Sequence, residues 1–192
     1  MHALFFEMQP KPGHLDHYFE HVARLRPVLA RHEGLVFLDR YKALDDPDTI
    51  LSHQLWESEE AIVAWRENTE HRRSQEAGNK VHFRDYRIRV GERVLHGGAQ
   101  MDARPVPATS ATSFVLALHG SRPVQTAGFS AFASFNREGQ YVSLATFGAV
   151  EDLQRACDAG PCPDGIDEIA AYAIRRDYGQ FDRADAPQPR AP

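Results

Sequence analysis

The stretch from Leu51 to Ser74 constrains the fold most, because it joins a strand pattern to the start of an amphipathic helix pattern. Four large apolar residues stand among polar ones from Thr49 to Trp56, which predicts a buried or half-buried strand. They are Ile50, Leu51, Leu55 and Trp56. Ser58 is a good N-cap, and the two glutamates after it place negative charge at the positive end of a helix dipole. A helix is therefore predicted from Glu59 to Ala77, ended by Gly78.

Strand and helix patterns occur through the first half of the chain in the order βαββαβ, which is the ferredoxin-like order. The other elements predicted for this half are a strand over 2–8, a helix over 15–31 and two further strands over 35–44 and 83–95. Pro27 lies inside the first helix and should kink or divide it, because proline has no backbone N–H.

The pattern of the second half predicts a shorter copy of the same order of strands and helices. Strands are predicted over 113–119, 129–135, 141–147 and 166–178, with a short helix over 149–158. Placing Phe147 on Trp56 puts Ala156 where the first half has Trp65, and too few residues separate the first two strands to hold a helix. The second half is therefore interpreted as a degenerate repeat.

These patterns divide the chain into a ferredoxin-like domain (1–96), a linker (97–112), a degenerate domain (113–181) and a disordered tail (182–192). A ferredoxin-like sheet with helices on one face leaves its other apolar face to be buried by a partner. The second half can supply that partner within one chain. An α+β fold of tandem ferredoxin-like repeats, paired as an intramolecular pseudo-dimer, is predicted, and a further homodimer is left open.

Charge and hydropathy narrow the function classes. A formal net charge of −5 argues against binding to nucleic acid, which needs a concentrated basic face. No apolar run reaches the ~18 residues of a membrane span, and no secretory signal is visible, so a cytoplasmic protein is expected. Cys157 and Cys162 fit neither a redox motif nor a zinc site, so we expect two reduced thiols.

The combined pattern LWES…AIVAWRE…EHRRSQ…FRDYRIRV resembles the antibiotic biosynthesis monooxygenase (ABM) family of the dimeric α+β barrel superfamily. The features that carry the resemblance are Trp56 at the end of a strand, Trp65 inside a helix and the run Glu70-His71-Arg72. The resemblance covers about residues 1–94 in element order. It implies a barrel of two paired sheets and a ligand pocket between one sheet and its two helices.

The same resemblance implies a monooxygenase that oxidises a quinol-like or polyphenolic aromatic substrate with O₂ and needs no metal or flavin. Such a reaction requires an apolar cavity and a base that helps to ionise a phenol. His71 is the first candidate for the base, since histidine is largely neutral near pH 7. Trp65 would be a cavity wall, and Asn68 or Arg72 would orient a substrate oxygen. The alternative is that His71 and Arg72 lie on a solvated helix surface and Trp65 in the core.

Four further side chains are candidates for the lining of this cavity, where they would contact the substrate. They are Phe6, Tyr18, Phe19 and His53. The aromatic residues lie at strand and helix spacing, so ordinary packing explains them equally well. A histidine on a strand, such as His53, is more often a half-buried spacer.

Two other readings of the histidines and aromatic residues are weaker. His14, His17 and His21 lie three and four residues apart and could bind a metal on one helix face. No further ligand can be assigned to them, so a solvated face is the stronger interpretation and no metal is expected. Haem degradation, another activity of the superfamily, fits Trp65. However, the polar amide that haem-degrading members have on the first strand falls near Phe6 of this chain, and their helix histidine falls near Gln75. These two departures argue against haem degradation.

The rival from another class is a non-catalytic barrel that binds a small molecule or is purely structural. A cavity plugged by side chains would favour this rival. An open, largely apolar cavity beside Trp65 that His71 can reach would favour the enzyme.

Overall fold

The computed structural model describes residues 1–101, 104–158 and 162–187. The first half consists of β1 (His2–Pro10), α1 (Leu15–Leu29), β2 (Leu35–Ala43), β3 (Ile50–Trp56), α2 (Glu59–Glu67), α3 (Thr69–Ala77), a π-helical turn (Gly78–His82) and β4 (Phe83–Gly98). The second half consists of β5 (Phe114–Gly120), β6 (Phe129–Ser134), β7 (Tyr141–Phe147), α4 (Val150–Asp158) and β8 (Ile166–Gly179). The predicted βαββαβ order and the missing helix of the second repeat are confirmed.

The eight strands form one closed antiparallel barrel in the order β1-β3-β2-β6-β7-β5-β8-β4. Within each half the order is the same, because β4-β1-β3-β2 corresponds to β8-β5-β7-β6. The halves join where β2 pairs with β6 and where β4 pairs with β8. The chain therefore contains two ferredoxin-like sheets joined edge to edge, and the predicted α+β pseudo-dimer is confirmed.

The barrel interior is an apolar core to which both halves contribute. Alternate residues of each strand point inward, and Phe5, Tyr41, Phe132 and Tyr172 are among the inward side chains that are fully or almost fully buried. The outer faces of the two sheets are covered separately. Helices α1 to α3 cover the first sheet, and α4 covers the second.

The predicted helix from Glu59 to Ala77 is in fact two helices that meet at Asn68. This residue has φ −58° and ψ 128°, which is not helical, and its Oδ1 accepts hydrogen bonds from the backbone N–H groups of Glu70 (3.1 Å) and His71 (3.2 Å). Asparagine is among the strongest N-cap residues, so it starts a new helix here. Pro27, by contrast, does not divide α1, which ends two residues later.

The segment between the halves packs against the second sheet. Arg104 is buried and donates hydrogen bonds to the carbonyl oxygens of Ala99 and Cys157, both at 3.1 Å. The side chain of Gln154 on α4 accepts from the backbone N–H of Val106 (2.8 Å). Residues 102 and 103 of the predicted linker lie outside the described residues.

The first residues of the predicted tail contact the first half. Arg183 donates to the hydroxyl of Tyr86 (2.6 Å), and the carbonyl oxygen of Pro187 accepts from Arg66 (2.9 Å). Residues 188–192 of this predicted tail lie outside the described residues. None of the helices in the described part of the chain combines the length and hydrophobicity that a membrane crossing needs.

Candidate functional site

A cavity of about 830 Å³ lies between the first sheet and the helices that cover it. The sheet supplies apolar side chains such as Leu4 and Ile88 to the lining, and the helices supply Val22, Leu25 and Ile62. Small-molecule sites typically have volumes of roughly 300–1,000 Å³ and mainly apolar walls. This cavity is therefore large enough for a molecule with one or more rings.

Trp65 and His71 lie together in the cavity wall. Their rings stack with centroids 4.3 Å apart and an interplanar angle of 16°. The contact follows from the break at Asn68, which leaves the Trp65 carbonyl at the end of α2 and places His71 in the first turn of α3. Nδ1 of His71 lies 3.0 Å from that carbonyl oxygen. Since a carbonyl can only accept, Nδ1 carries the hydrogen and Nε2 keeps its lone pair.

Burial lowers the pKa of His71 to about 4, and the hydrogen bond to the Trp65 carbonyl offsets this only in part. The imidazole is therefore neutral at pH 7. It can accept a hydrogen bond from a substrate hydroxyl, but it holds a proton weakly. Transfer of a phenolic proton to His71 thus depends on other groups that stabilise the resulting anion.

Phe6, Tyr18 and Arg72 also line the cavity, so the structure brings together five of the eight predicted site residues. The ring of Phe6 meets Phe83 and Tyr86 edge to face, with centroids 5.7 and 5.8 Å apart. Arg72 is exposed, and its side chain lies at the rim.

Asn68 and Phe19 have other roles. The side-chain oxygen of Asn68 is occupied by the cap of α3 and is not among the groups that line the cavity. The ring of Phe19 contacts Tyr18 and Phe135, each with centroids 5.2 Å apart, and is half-buried beside the cavity. Contact of these two side chains with a substrate stays a prediction, although neither belongs to the cavity lining.

His53 lies outside this cavity because side chains alternate along β3, and its contact with a substrate stays a prediction. Its neighbours Ser52 and Gln54 line the cavity, so His53 points to the other face, into the barrel. There it is fully buried and stacks on Phe5 (4.6 Å) and His119 (5.2 Å). Burial holds its pKa well below the usual value.

Arginines in the cavity lining are the feature that sequence reasoning missed. Among the described residues, seven arginines line the cavity, against two acidic residues. Arg40 on β2 is half-buried and donates from Nε to the hydroxyl of Tyr18 (3.1 Å). Alternation along β2 could have placed Arg40 on the outer face. No sequence signal could have shown that Arg176 and Arg183 of the second half reach the same cavity.

The histidines considered as metal ligands lie at one end of α1. His82 joins them, with its ring centroid 5.2 Å from that of His14, 5.3 Å from that of His17 and 5.5 Å from that of His21. No group of three or more histidine, cysteine or acidic side chains among the described residues is arranged to hold a metal ion.

The two cysteines are free thiols. Cys157 is buried under the second sheet's cover, and this burial raises the pKa of its thiol to about 11. A thiol in that state is a weak nucleophile at pH 7. Residues 159–161, which separate it from Cys162, lie outside the described residues.

Comparisons with known proteins agree with the sequence pattern. Residues 1–77 match the family model "Antibiotic biosynthesis monooxygenase". A protein of Pyricularia oryzae called "Jasmonate monooxygenase ABM" is 28% identical over 217 aligned positions, covering 98% of this chain and 97% of that protein. YqjZ of Bacillus subtilis, an uncharacterized protein, is 29% identical over 75 positions, covering 39% of this chain and 64% of its own.

Solved structures that match this chain include an anthrone oxidase-like protein, with a TM-score of 0.45, 11% identity and coverage of 97% of this chain and 96% of the other. An antibiotic biosynthesis monooxygenase has a TM-score of 0.44 and 16% identity over 48% of this chain and 97% of its own. The match of residues 1–77 to this family model agrees with the resemblance that the sequence pattern indicates.

Proposed function

We propose that this protein is a cofactor-independent monooxygenase that oxidises a small aromatic substrate, quinol-like or polyphenolic, with O₂ in the cavity of the first half. The observation that carries the proposal is the open, 830 Å³ cavity in which a neutral His71 stacks on Trp65. The full-length similarity to a protein named as a jasmonate monooxygenase supports the reaction type and adds jasmonate to the substrates worth testing.

In this mechanism the apolar wall around Trp65 takes the substrate ring, and a phenolic hydroxyl donates to Nε2 of His71. Loss of the proton makes the ring a better electron donor to O₂, and the arginines of the lining stabilise the anion. Oxidation of an activated CH₂ group to a ketone then uses one O₂. One oxygen atom enters the ketone and the other leaves as water, so the substrate supplies all the electrons.

The test is oxygen uptake by protein of known metal content with a panel of hydroquinones, anthrones and jasmonate. We expect uptake with at least one of these substrates and one ¹⁸O atom per product when ¹⁸O₂ is supplied. His71→Ala should lower the rate by about 100-fold or more, in line with the loss of a general base. His17→Ala, which changes an exposed histidine outside the cavity, is the matched control and should leave the rate unchanged.

The second candidate is a non-catalytic barrel that binds the same class of molecule. The low pKa of His71 favours it, because an imidazole that holds a proton weakly is a poor base at pH 7. Saturable binding of the panel compounds without oxygen uptake would support this candidate and reject the monooxygenase.

A further inference from the structure

The cavity has a charge opposite to that of the protein as a whole. The chain carries a formal net charge of −5, yet the described residues that line the cavity include seven arginines and only Asp39 and Glu76 as acids. A cleft lined by one sign of charge focuses the electric field and raises the local concentration of ligands of the other sign. This cavity therefore favours anions.

Most of the arginines whose contacts are defined are already held by other groups. Arg137 forms an ion pair with Asp39 (2.8 Å), and Arg176 forms one with Glu59. Arg66 donates to a backbone carbonyl at the mouth. These guanidinium groups add positive potential, but their partners compete with a ligand for their hydrogen bonds.

Arg40 differs from Arg137 and Arg176 in its partners, and it differs from Arg183, which also donates to a tyrosine hydroxyl, in being half-buried instead of exposed. Within the described part of the chain no carboxylate forms an ion pair with it, and its Nε is fixed by the hydroxyl of Tyr18. Tyr18 is itself buried, so it anchors the guanidinium at the cavity wall. A half-buried guanidinium with a fixed Nε and no acidic partner is well suited to a planar carboxylate, which accepts two parallel hydrogen bonds.

We propose that the substrates of this cavity are apolar ring compounds that carry a carboxylate, and that Arg40 binds this carboxylate. The inference rests on the proposed function only in taking the cavity as the substrate site. Tyr18 then acts as a positioning residue, which holds Arg40 in place. The ring would lie against the apolar wall that contains Trp65.

The test is isothermal titration calorimetry with 1-naphthoate and its neutral, nearly isosteric analogue 1-naphthamide, in anaerobic buffer so that no oxidation takes place. We expect wild-type protein to bind the carboxylate more tightly than the amide. Arg40→Gln should weaken naphthoate binding by about 10- to 100-fold, the usual value of a charge-assisted hydrogen bond, and leave naphthamide binding nearly unchanged. Arg31→Gln, at an exposed arginine outside the cavity lining, is the matched control and should change either affinity by less than about 3-fold.

Two further variants protect the test against misfolding. Arg40→Lys keeps the charge without the planar fork and should give an intermediate loss for naphthoate. Tyr18→Phe should reduce the preference for naphthoate while leaving naphthamide binding intact. Equal affinity of wild-type protein for the two probes, or equal losses in Arg40→Gln and Arg31→Gln, would overturn the proposal. Binding is measured without O₂, so a preference for the carboxylate supports this proposal even if no substrate is oxidised. Conversely, oxidation of neutral phenols without a binding preference for naphthoate would support the monooxygenase and overturn the carboxylate specificity.

Discussion

The two sheets of the barrel have the same strand order but different covers. Over the first sheet, α1, α2 and α3 enclose a cavity of about 830 Å³. Over the second sheet, one continuous apolar cluster contains Leu153 of α4, Leu116 and Leu118 of β5, and Val106 of the connecting segment. The difference shows that the sheet is a shared scaffold, and that the residues laid over its outer face determine whether a half is hollow or filled.

One position illustrates this difference. The sequence repeat places Ala156 where the first half has Trp65, and Ala156 packs partly buried within the filled cluster. The ring of Trp65 instead lines the cavity and stacks on the ring of His71. The small residue thus belongs to the filled half, and the indole belongs to the wall of the cavity.

The largest effect that tests this contrast is on stability. Leu153→Ala should lower the free energy of unfolding by about 2–5 kcal/mol, because the side chain is fully buried and its removal leaves a void. Leu25→Ala, at the wall of the existing cavity, should cost clearly less. Urea unfolding of both variants measures the two losses, and equal losses would contradict the contrast between a filled and a hollow half.

The second effect is the pH dependence that the buried histidine gives to the hollow half. The pKa of His71 is about 4 in the folded protein against 6.5 for an ordinary histidine. Between about pH 4 and 6.5, His71 is therefore protonated in the unfolded chain and neutral in the folded protein. The stabilisation is complete above pH 6.5 and is lost as the pH falls from about 6.5 to 4, by up to about 3 kcal/mol.

His71→Asn should flatten the fall in stability over this pH range, because the difference in proton uptake is removed. His53 keeps its own lowered pKa in both proteins, so the comparison isolates His71. Unfolding free energies measured between pH 4 and 7 test this, with His17→Asn as the exposed control. Parallel curves for wild type and His71→Asn would show that burial does not suppress the protonation of His71.

A smaller effect concerns the break between α2 and α3. Asn68→Ala removes the side-chain oxygen that caps α3 and should cost about 1 kcal/mol. Asn68→Asp keeps a capping oxygen and should restore the stability. If Asn68→Ala also weakens ligand binding in the cavity, the cap positions His71. An alanine variant as stable as wild type would mean that the break does not depend on the cap.

The smallest effect concerns the segment that follows β8. Arg66→Gln removes the hydrogen bond to the carbonyl of Pro187 and should change stability by less than about 1 kcal/mol. Trypsin cleavage after Arg183 should become faster, because the segment is held less firmly against the first half. The exposed Arg73, which pairs with Glu70 on the same helix, offers a control in Arg73→Gln. Identical cleavage rates in all three proteins would show that this contact does not hold the segment.

Sequence patterns predicted the scaffold because strand alternation and helix periodicity are local. They identified both repeats and placed Trp65 and His71 together. They missed the helix break at Asn68, where a local cap outweighs the helical period, and they did not show that His53 points into the barrel.

Other features of the site depend on contacts between distant parts of the chain. Arg183 and Pro187 reach the first cavity only because β8 pairs with β4, and the filling of the second half depends on where Arg104 and Val106 fold back. Neither contact leaves a periodic signal in the sequence.

The central claim, a hollow first half and a filled second half, can be tested directly by crystallography under xenon pressure. Xenon binds in empty apolar cavities and is excluded from close-packed cores. We expect ordered xenon beside Trp65 in the first half and none between α4 and the second sheet. Xenon beneath α4, or a first half without it because side chains close the space, would contradict this account.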